Sequence, residues 1–250
     1  MAQAIVLAAV GGLLVGSFLN VVAWRLPRGE SLVSPRSRCP GCGETIRPYD
    51  NVPVVSWLAL RGRCRHCDTR ISARYPLVEL ATAALYVAVV VGRDGAHDIV
   101  LGLILVTVLV PVTLIDLEHR IIPNRITLPA AVAALVAGAI LDPGFVPEQL
   151  IAGAAAGGFF LLAALAYPRG MGMGDVKLAG VLGLYLGRAV ASAILIALVA
   201  GIVVGIGVMA AKGASEGRRT KVPFGPFLAL GGVVALFAGN ALVDLYLDHF

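Results

Sequence analysis

Eight apolar stretches, parted by short polar turns and one long polar segment, leave this chain few ways to fold. They cover roughly residues 2–24, 77–91, 99–115, 126–141, 150–167, 176–186, 189–211 and 224–247. A membrane-spanning helix needs about 20 apolar residues, with about 17 a lower limit. The second, fourth and sixth stretches therefore borrow polar residues at their ends, the sixth most of all. Only 14% of the 250 residues are charged and 58% are hydrophobic, whereas a soluble domain carries about a quarter charged residues. The expected fold is an all-α polytopic membrane protein. It has about eight transmembrane helices and a small cytoplasmic domain between the first two. Met1-Ala2-Gln3 lacks the positive start of a secretory signal, and the apolar run to Trp24 is too long for a signal core, so the first span is expected to be retained.

The net charge of +5 raises the question of nucleic acid, but its distribution answers to a membrane instead. If all eight stretches cross and the segment Arg25 to Tyr75 is cytoplasmic, 18 of the 20 Lys and Arg residues share that face. They include Arg120, Arg125, Arg169, Lys177, Lys212, Arg218, Arg219 and Lys221, leaving Arg93 and Arg188 opposite. Positive charge concentrates on cytoplasmic loops, so both termini are expected on the non-cytoplasmic side. Without the sixth crossing, the Lys212–Lys221 cluster would fall outside. The same topology puts Asp116, closing the third span, and Asp175, opening the sixth, at one face and one depth. A short sixth helix preceded by glycine suits a segment buried among its neighbours. Pro111 is expected to kink the third span one turn before Asp116. Gly12 and Gly16, Gly153 and Gly157, and Gly201 and Gly205 are spaced for close helix approach.

The long polar segment carries Cys39-Pro-Gly-Cys42 and Cys64-Arg-His-Cys67. Two such knuckles fit a structural zinc ion held by four thiolates. The segment has too few apolar residues to fold by burial, and metal binding would supply the missing stability. Disulfides suit a reducing compartment poorly, and a thioredoxin-like redox motif would need a βαβ pattern that is absent. His66 could replace one sulfur or serve as a solvated spacer.

Carboxylates beside hydrocarbon are costly and usually functional. Asp175, in Gly172-Met173-Gly174-Asp175, reads structurally as a helix N-cap, and Asp116 as a charged helix end near headgroups. Taken together, at one face, with Ile122-Pro123 after Asp116 and glycines flanking Met173, they suggest a pair sharing one proton. The ionised member would activate water while the protonated one polarises a scissile carbonyl. Glu79, one turn into the second span, reads as a polar anchor or a partner of Arg74. Glu118 and His119 read as interfacial.

These residues together resemble the bacterial prepilin peptidases, the type IV leader peptidase and N-methyltransferase family. The resemblance rests on Gly16-Ser-Phe-Leu-Asn-Val-Val, Arg25-Leu-Pro-Arg-Gly-Glu30, both cysteine knuckles, Tyr49-Asp-Asn-Val-Pro53 with Ser56-Trp57, and Ser72-Ala-Arg-Tyr-Pro-Leu-Val-Glu79. It continues through Asp116-Leu-Glu-His-Arg-Ile-Ile-Pro123, Gly172-Met-Gly-Asp-Val-Lys177 and Pro223-Phe-Gly-Pro-Phe227, covering nearly the whole chain. It implies an intramembrane aspartic endopeptidase of the bacterial inner membrane. Its substrates would be type IV prepilins and type II secretion pseudopilins, cut after a Gly on the cytoplasmic side. It also implies N-methylation of the new N-terminal residue with S-adenosylmethionine. By the same resemblance Asp116 and Asp175 are catalytic, and Gly172, Gly174, Pro123 and Lys177 belong to the supporting motifs. Cys39, Cys42, Cys64 and Cys67 hold the metal, and the full cysteine loop favours the bifunctional type. Asp68 stands where Gly is commoner. No Gly-x-Gly follows a strand, so residues for the methyl donor are not legible. The chain would divide into the first span (1–24), a cytoplasmic zinc domain (25–75) and a membrane peptidase domain (76–250), with membrane lipid but no nucleic acid as a partner. The competing classes are a transporter, which would be expected to show internal repeats and broken helices in both halves, and a scaffold whose zinc loop binds a partner.

Overall fold

The computed structural model describes residues 1–167, 171–213 and 222–249; Arg169, Arg218, Arg219 and Lys221 of the charge argument lie outside them. Among these residues the regular structure is helical, with only two isolated β-bridges. The long helices are α1 (Ala2–Arg25), α3 (Arg74–Gly92), α4 (Ala96–His119), α5 (Asn124–Leu141), α6 (Val146–Ala166), α7 (Met173–Leu186), α8 (Val190–Lys212) and α9 (Gly225–Leu247). A one-turn helix, α2 (Val55–Ala59), lies in the polar segment. Among the described residues, seven stretches are long and apolar enough to cross a bilayer. One of them, Met173–Lys212, has 40 residues. At about 1.5 Å per residue it would be roughly twice the hydrocarbon thickness if straight. It breaks at Gly187, where φ is +55°, a conformation open to glycine at no steric cost. The two pieces are α7 and α8, so the expectation of about eight helices and the count of seven apolar stretches describe one multi-pass membrane fold.

The chain forms two compact units, Met1–Gly92 and Arg93–Phe250. In the first, α1 and α3 pack through Gly12 and Gly16: a Cβ on Gly16 would lie 2.8 Å from the Cα of Glu79, and one on Gly12 would press on Ala83. Such contact brings backbones close enough for dispersion to replace the hydrophobic drive that lipid does not provide. The buried Asn20 donates to the carbonyls of Gly16 and Tyr75. Arg25, also buried, binds the carbonyls of Ser31 and Pro35, so the end of α1 organises the start of the polar segment.

In the second unit α6 and α7 meet at a glycine contact, with Gly157 and Gly153 against Gly180. The fully buried Gln149 donates to the carbonyls of Ala134 and Leu184, tying α6 to α5 and α7. The Tyr185 hydroxyl donates to the Ala130 carbonyl at 2.7 Å. These bonds fix α7, whose side chains are buried along most of its length. The expected short, enclosed sixth helix is therefore present. The third glycine pair behaves otherwise: Gly201 makes room for the Phe224 ring and Gly205 faces open space. Glycine spacing alone does not distinguish a helix contact from a ring pocket. Pro111 lies within an unbroken α4, where it has no N–H to give to the helix ladder.

Candidate active site and metal centre

Asp116 sits in the last turn of α4, and 5% of its surface is exposed. It is enclosed rather than at a headgroup-facing helix end. Its Oδ2 accepts the Gly225 N–H at 2.9 Å, at the first turn of α9. A side chain at 225 would collide with it, since a Cβ there would lie 2.7 Å from Oδ2. The Phe224 ring stands next to Phe160 and Phe227 and anchors this turn. After Asp116 the helix is closed by Arg120 in the left-handed region, its N–H returning to the Asp116 carbonyl at 2.9 Å. The chain then reaches Pro123, which starts α5.

Asp175 stands in the first turn of α7, three residues after the cap position held by Gly172. It is not itself the cap. Its Oδ2 accepts the Gly172 N–H at 3.3 Å, while its own N–H donates to the Gly172 carbonyl at 3.1 Å. The two motifs dock on each other. Ile122 lies on Gly174 so closely that a Cβ at 174 would fall 2.9 Å from the Ile122 Cβ. The Lys177 ammonium donates to the Asn124 side-chain carbonyl at 2.8 Å. In this way the turn after α4, which follows Asp116, is clipped to the start of α7, which carries Asp175. Beside them Thr127, Leu128, Gly153, Lys177, Gly180 and Leu184 line a mainly apolar groove of about 220 Å³.

In the polar segment the four thiols converge. Their sulfurs all lie within 4.8 Å of one another, with Cys39 and Cys67 3.7 Å apart, and none is in a disulfide. A tetrahedral ion with metal–sulfur bonds of about 2.3 Å places sulfurs roughly 3.8 Å apart, so this donor set fits zinc. The two knuckles are built alike. The Cys39 and Cys64 N–H groups donate to the carbonyls of Glu44 and Thr69, and the carbonyls of the same cysteines accept from Gly43 and Asp68. Bridges Arg38–Thr45 and Arg63–Arg70 close both turns. The thiols of Cys67 and Cys42 are shifted in opposite directions. The Thr69 hydroxyl and N–H pull Cys67 down to about 6. Cys42 is lowered by the Glu44 N–H but raised more by burial and the other three thiols, ending at about 12. A cation at the centre would favour the ionised form of all four. Around the knuckles, Arg65 forms a two-oxygen pair with Asp50 and holds its carboxyl below the usual range. The Trp57 ring N–H donates to the Ile71 carbonyl.

Comparison with known families matches residues 10–92 to the bacterial peptidase A24 N-terminal domain and residues 103–206 to the type IV leader peptidase family. The first match ends at Gly92, where the first compact unit ends. Three relatives cover nearly the whole chain. A prepilin leader peptidase/N-methyltransferase of Aeromonas hydrophila is 37% identical over 95% of this chain and 92% of that protein. One of Neisseria gonorrhoeae is 38% identical over 98% and 96%. A type 4 prepilin-like proteins leader peptide-processing enzyme of Escherichia coli O78:H11 is 37% identical over 93% of each. The chain belongs to the type IV leader peptidase family. No solved structure matches it.

For a member of this family, two site features escape a residue-by-residue reading. Gly225 is one: it supplies the N–H on Asp116 from 109 residues away, and only its place in Pro223-Phe-Gly-Pro-Phe227 singled it out. Glu79 is the other. Its Oε2 accepts the Val54 N–H at 2.7 Å, a bond from a backbone 25 residues away that the reading of Glu79 as a polar anchor or partner of Arg74 did not include.

Proposed function

We propose that this leader peptidase is an intramembrane aspartic endopeptidase that removes the leader of type IV prepilins or pseudopilins after a Gly, on the cytoplasmic side. The convergence of Asp116 and Asp175 through the Ile122–Gly174 and Lys177–Asn124 contacts carries this reading. Two carboxylates near one another share a proton. The ionised one takes a proton from water as that water attacks the scissile carbonyl. The protonated one donates to the carbonyl oxygen as charge develops there. Gly172, Gly174, Pro123 and Lys177 act by holding the two turns together. The groove beside Lys177 offers an apolar substrate segment a place next to the aspartates.

In the same proposal the new N-terminal residue is N-methylated, with S-adenosylmethionine supplying the methyl group. Glu79, buried and, among the described residues, with no cation acting on it, offers an environment suited to the positively charged partners of that reaction. Cys39, Cys42, Cys64 and Cys67 hold a structural zinc ion in a cytoplasmic domain over 25–75. Residues 76–250 form the peptidase domain, and the inner membrane holds the chain with both termini outside. Membership of a peptidase family argues against the transporter and scaffold readings. The test is cleavage of a prepilin-like peptide by purified protein. Asp116→Asn and Asp175→Asn are each expected to abolish it while the melting temperature stays near wild type. Normal turnover by either variant would overturn the mechanism.

A further inference from the structure

Glu79 is a second buried carboxylate of this enzyme, apart from the aspartate pair. Only 7% of its surface is exposed, and it lies one turn into α3, in a chain segment apolar enough to cross a bilayer. Burying an ionised carboxylate costs several kcal/mol unless it is paired and hydrogen-bonded. Among the described residues the Val54 N–H bonds to it at 2.7 Å, and no cation is among the groups that act on it. On α1, Gly12, Gly16 and Asn20, all uncharged, pack against α3. Arg25, the charged end of α1, is committed to the carbonyls of Ser31 and Pro35.

The donor itself is unusual. Val54 has φ +60° and ψ −49°, a region that a β-branched residue enters only under strain. Such outliers cost of order 1–3 kcal/mol and cluster at functional sites. The backbone is thus held in a costly shape that aims an N–H at a membrane carboxylate. The Tyr49–Val54 turn is itself fixed by Ser56, which accepts the Val52 N–H and donates to the Tyr49 carbonyl.

Resting on the methylation reading above, we propose that Glu79 is the catalytic carboxylate that receives the α-ammonium freed by leader cleavage and takes its proton. The ammonium gives one proton to Glu79, which becomes the neutral acid, and the nitrogen recovers its lone pair. The lone pair then forms the N–C bond as the methyl–sulfur bond of a sulfonium donor breaks, the electron pair staying on sulfur as a neutral thioether. The product is an N-methyl ammonium, and Glu79 returns its proton to water.

The test compares wild type and Glu79→Gln for cleavage, methylation and binding of S-adenosylhomocysteine by calorimetry. Glutamine still accepts the Val54 N–H but carries no charge, so a purely structural staple survives the change. Leader cleavage and S-adenosylhomocysteine binding are expected to match wild type. Methylation near pH 7 is expected to fall about 100-fold, the scale of a general base. The defect should shrink above about pH 8, where an α-amino group loses its proton unaided. Methylation at the wild-type rate overturns the proposal, as does loss of S-adenosylhomocysteine binding, which would assign Glu79 to the donor. A parallel loss of cleavage and methylation would mark a structural role and overturn it too. If that variant unfolds, Glu79→Asp gives the second reading: methylation retained in part, with the same pH dependence, supports the role, and a pH-independent loss sinks it. A wild-type enzyme that cleaves but does not methylate would remove the methylation reading itself.

Discussion

Among the described residues, a backbone N–H rather than a charged side chain bonds to Asp116. An exposed carboxylate is solvated by water, but one with 5% of its surface exposed must find donors in the protein. Gly225 provides one at 2.9 Å and, lacking a side chain, lets the first turn of α9 come that close. Asp116 itself was legible in the sequence, because a carboxylate at the end of an apolar run calls for an explanation. Gly225 was not, because a glycine advertises no chemistry and its partner lies far along the chain. Gly225→Ala is expected to push the Asp116 carboxylate aside and lower cleavage about 100-fold, the cost of displacing a catalytic group by about 1 Å. A peptide-cleavage assay at saturating substrate checks this. A variant with unchanged kcat would show that the N–H does not position Asp116.

Among the elements, the cysteine knuckles show how little of a local fold spacing reveals. Two Cys-x-x-Cys pairs indicate where sulfurs converge, and the structure brings them within 4.8 Å. That the two turns are copies of one backbone design was not visible, since their side chains share little beyond the cysteines. Four residues after each leading cysteine the chain enters the left-handed region, at Gly43 (φ +73°) and Asp68 (φ +54°). This explains why a glycine suits the position where Asp68 stands, and why an aspartate, which tolerates that region better than most residues, can replace it. Gly43→Val should cost about 1–2 kcal/mol, read as a weakening of zinc binding by about 5- to 30-fold in a chelator competition. Asp68→Gly relieves the same strain but adds unfolded-state freedom of about 0.5–1 kcal/mol, so its zinc affinity should stay within about threefold of wild type. Equal losses in both variants would contradict the shared-turn account. α7 gives the complementary case. Its enclosure was legible from its shortness, and its end from the gap between the stretches 176–186 and 189–211, but the left-handed backbone of Gly187 that turns the chain there was not.

For the whole molecule, charge and hydropathy were enough to find the helices, because a lipid environment filters sequence so strongly. They could not separate the chain into its two compact units, whose boundary along the chain falls between Gly92 and Arg93. The unit boundary matters for what the metal supports. All four cysteines lie in the first unit, whereas Asp116, Asp175, Gly174, Lys177 and Gly225 all lie in the second. A structural zinc ion contributes on the order of 10 kcal/mol to the segment that binds it, and the 25–75 segment has few buried apolar side chains to replace that. Cys39→Ser, or a strong chelator on the wild-type enzyme, should therefore lower zinc from about one per chain to near zero. Limited proteolysis should then cut rapidly between residues 25 and 75 while a fragment spanning α4 to α9 resists. Metal analysis and mass spectrometry of the fragments measure both effects. Equally rapid digestion throughout α4 to α9 would mean that the ion stabilises the peptidase helices as well, and metal-free wild-type protein with an intact 25–75 segment would show that the thiols hold their positions unaided.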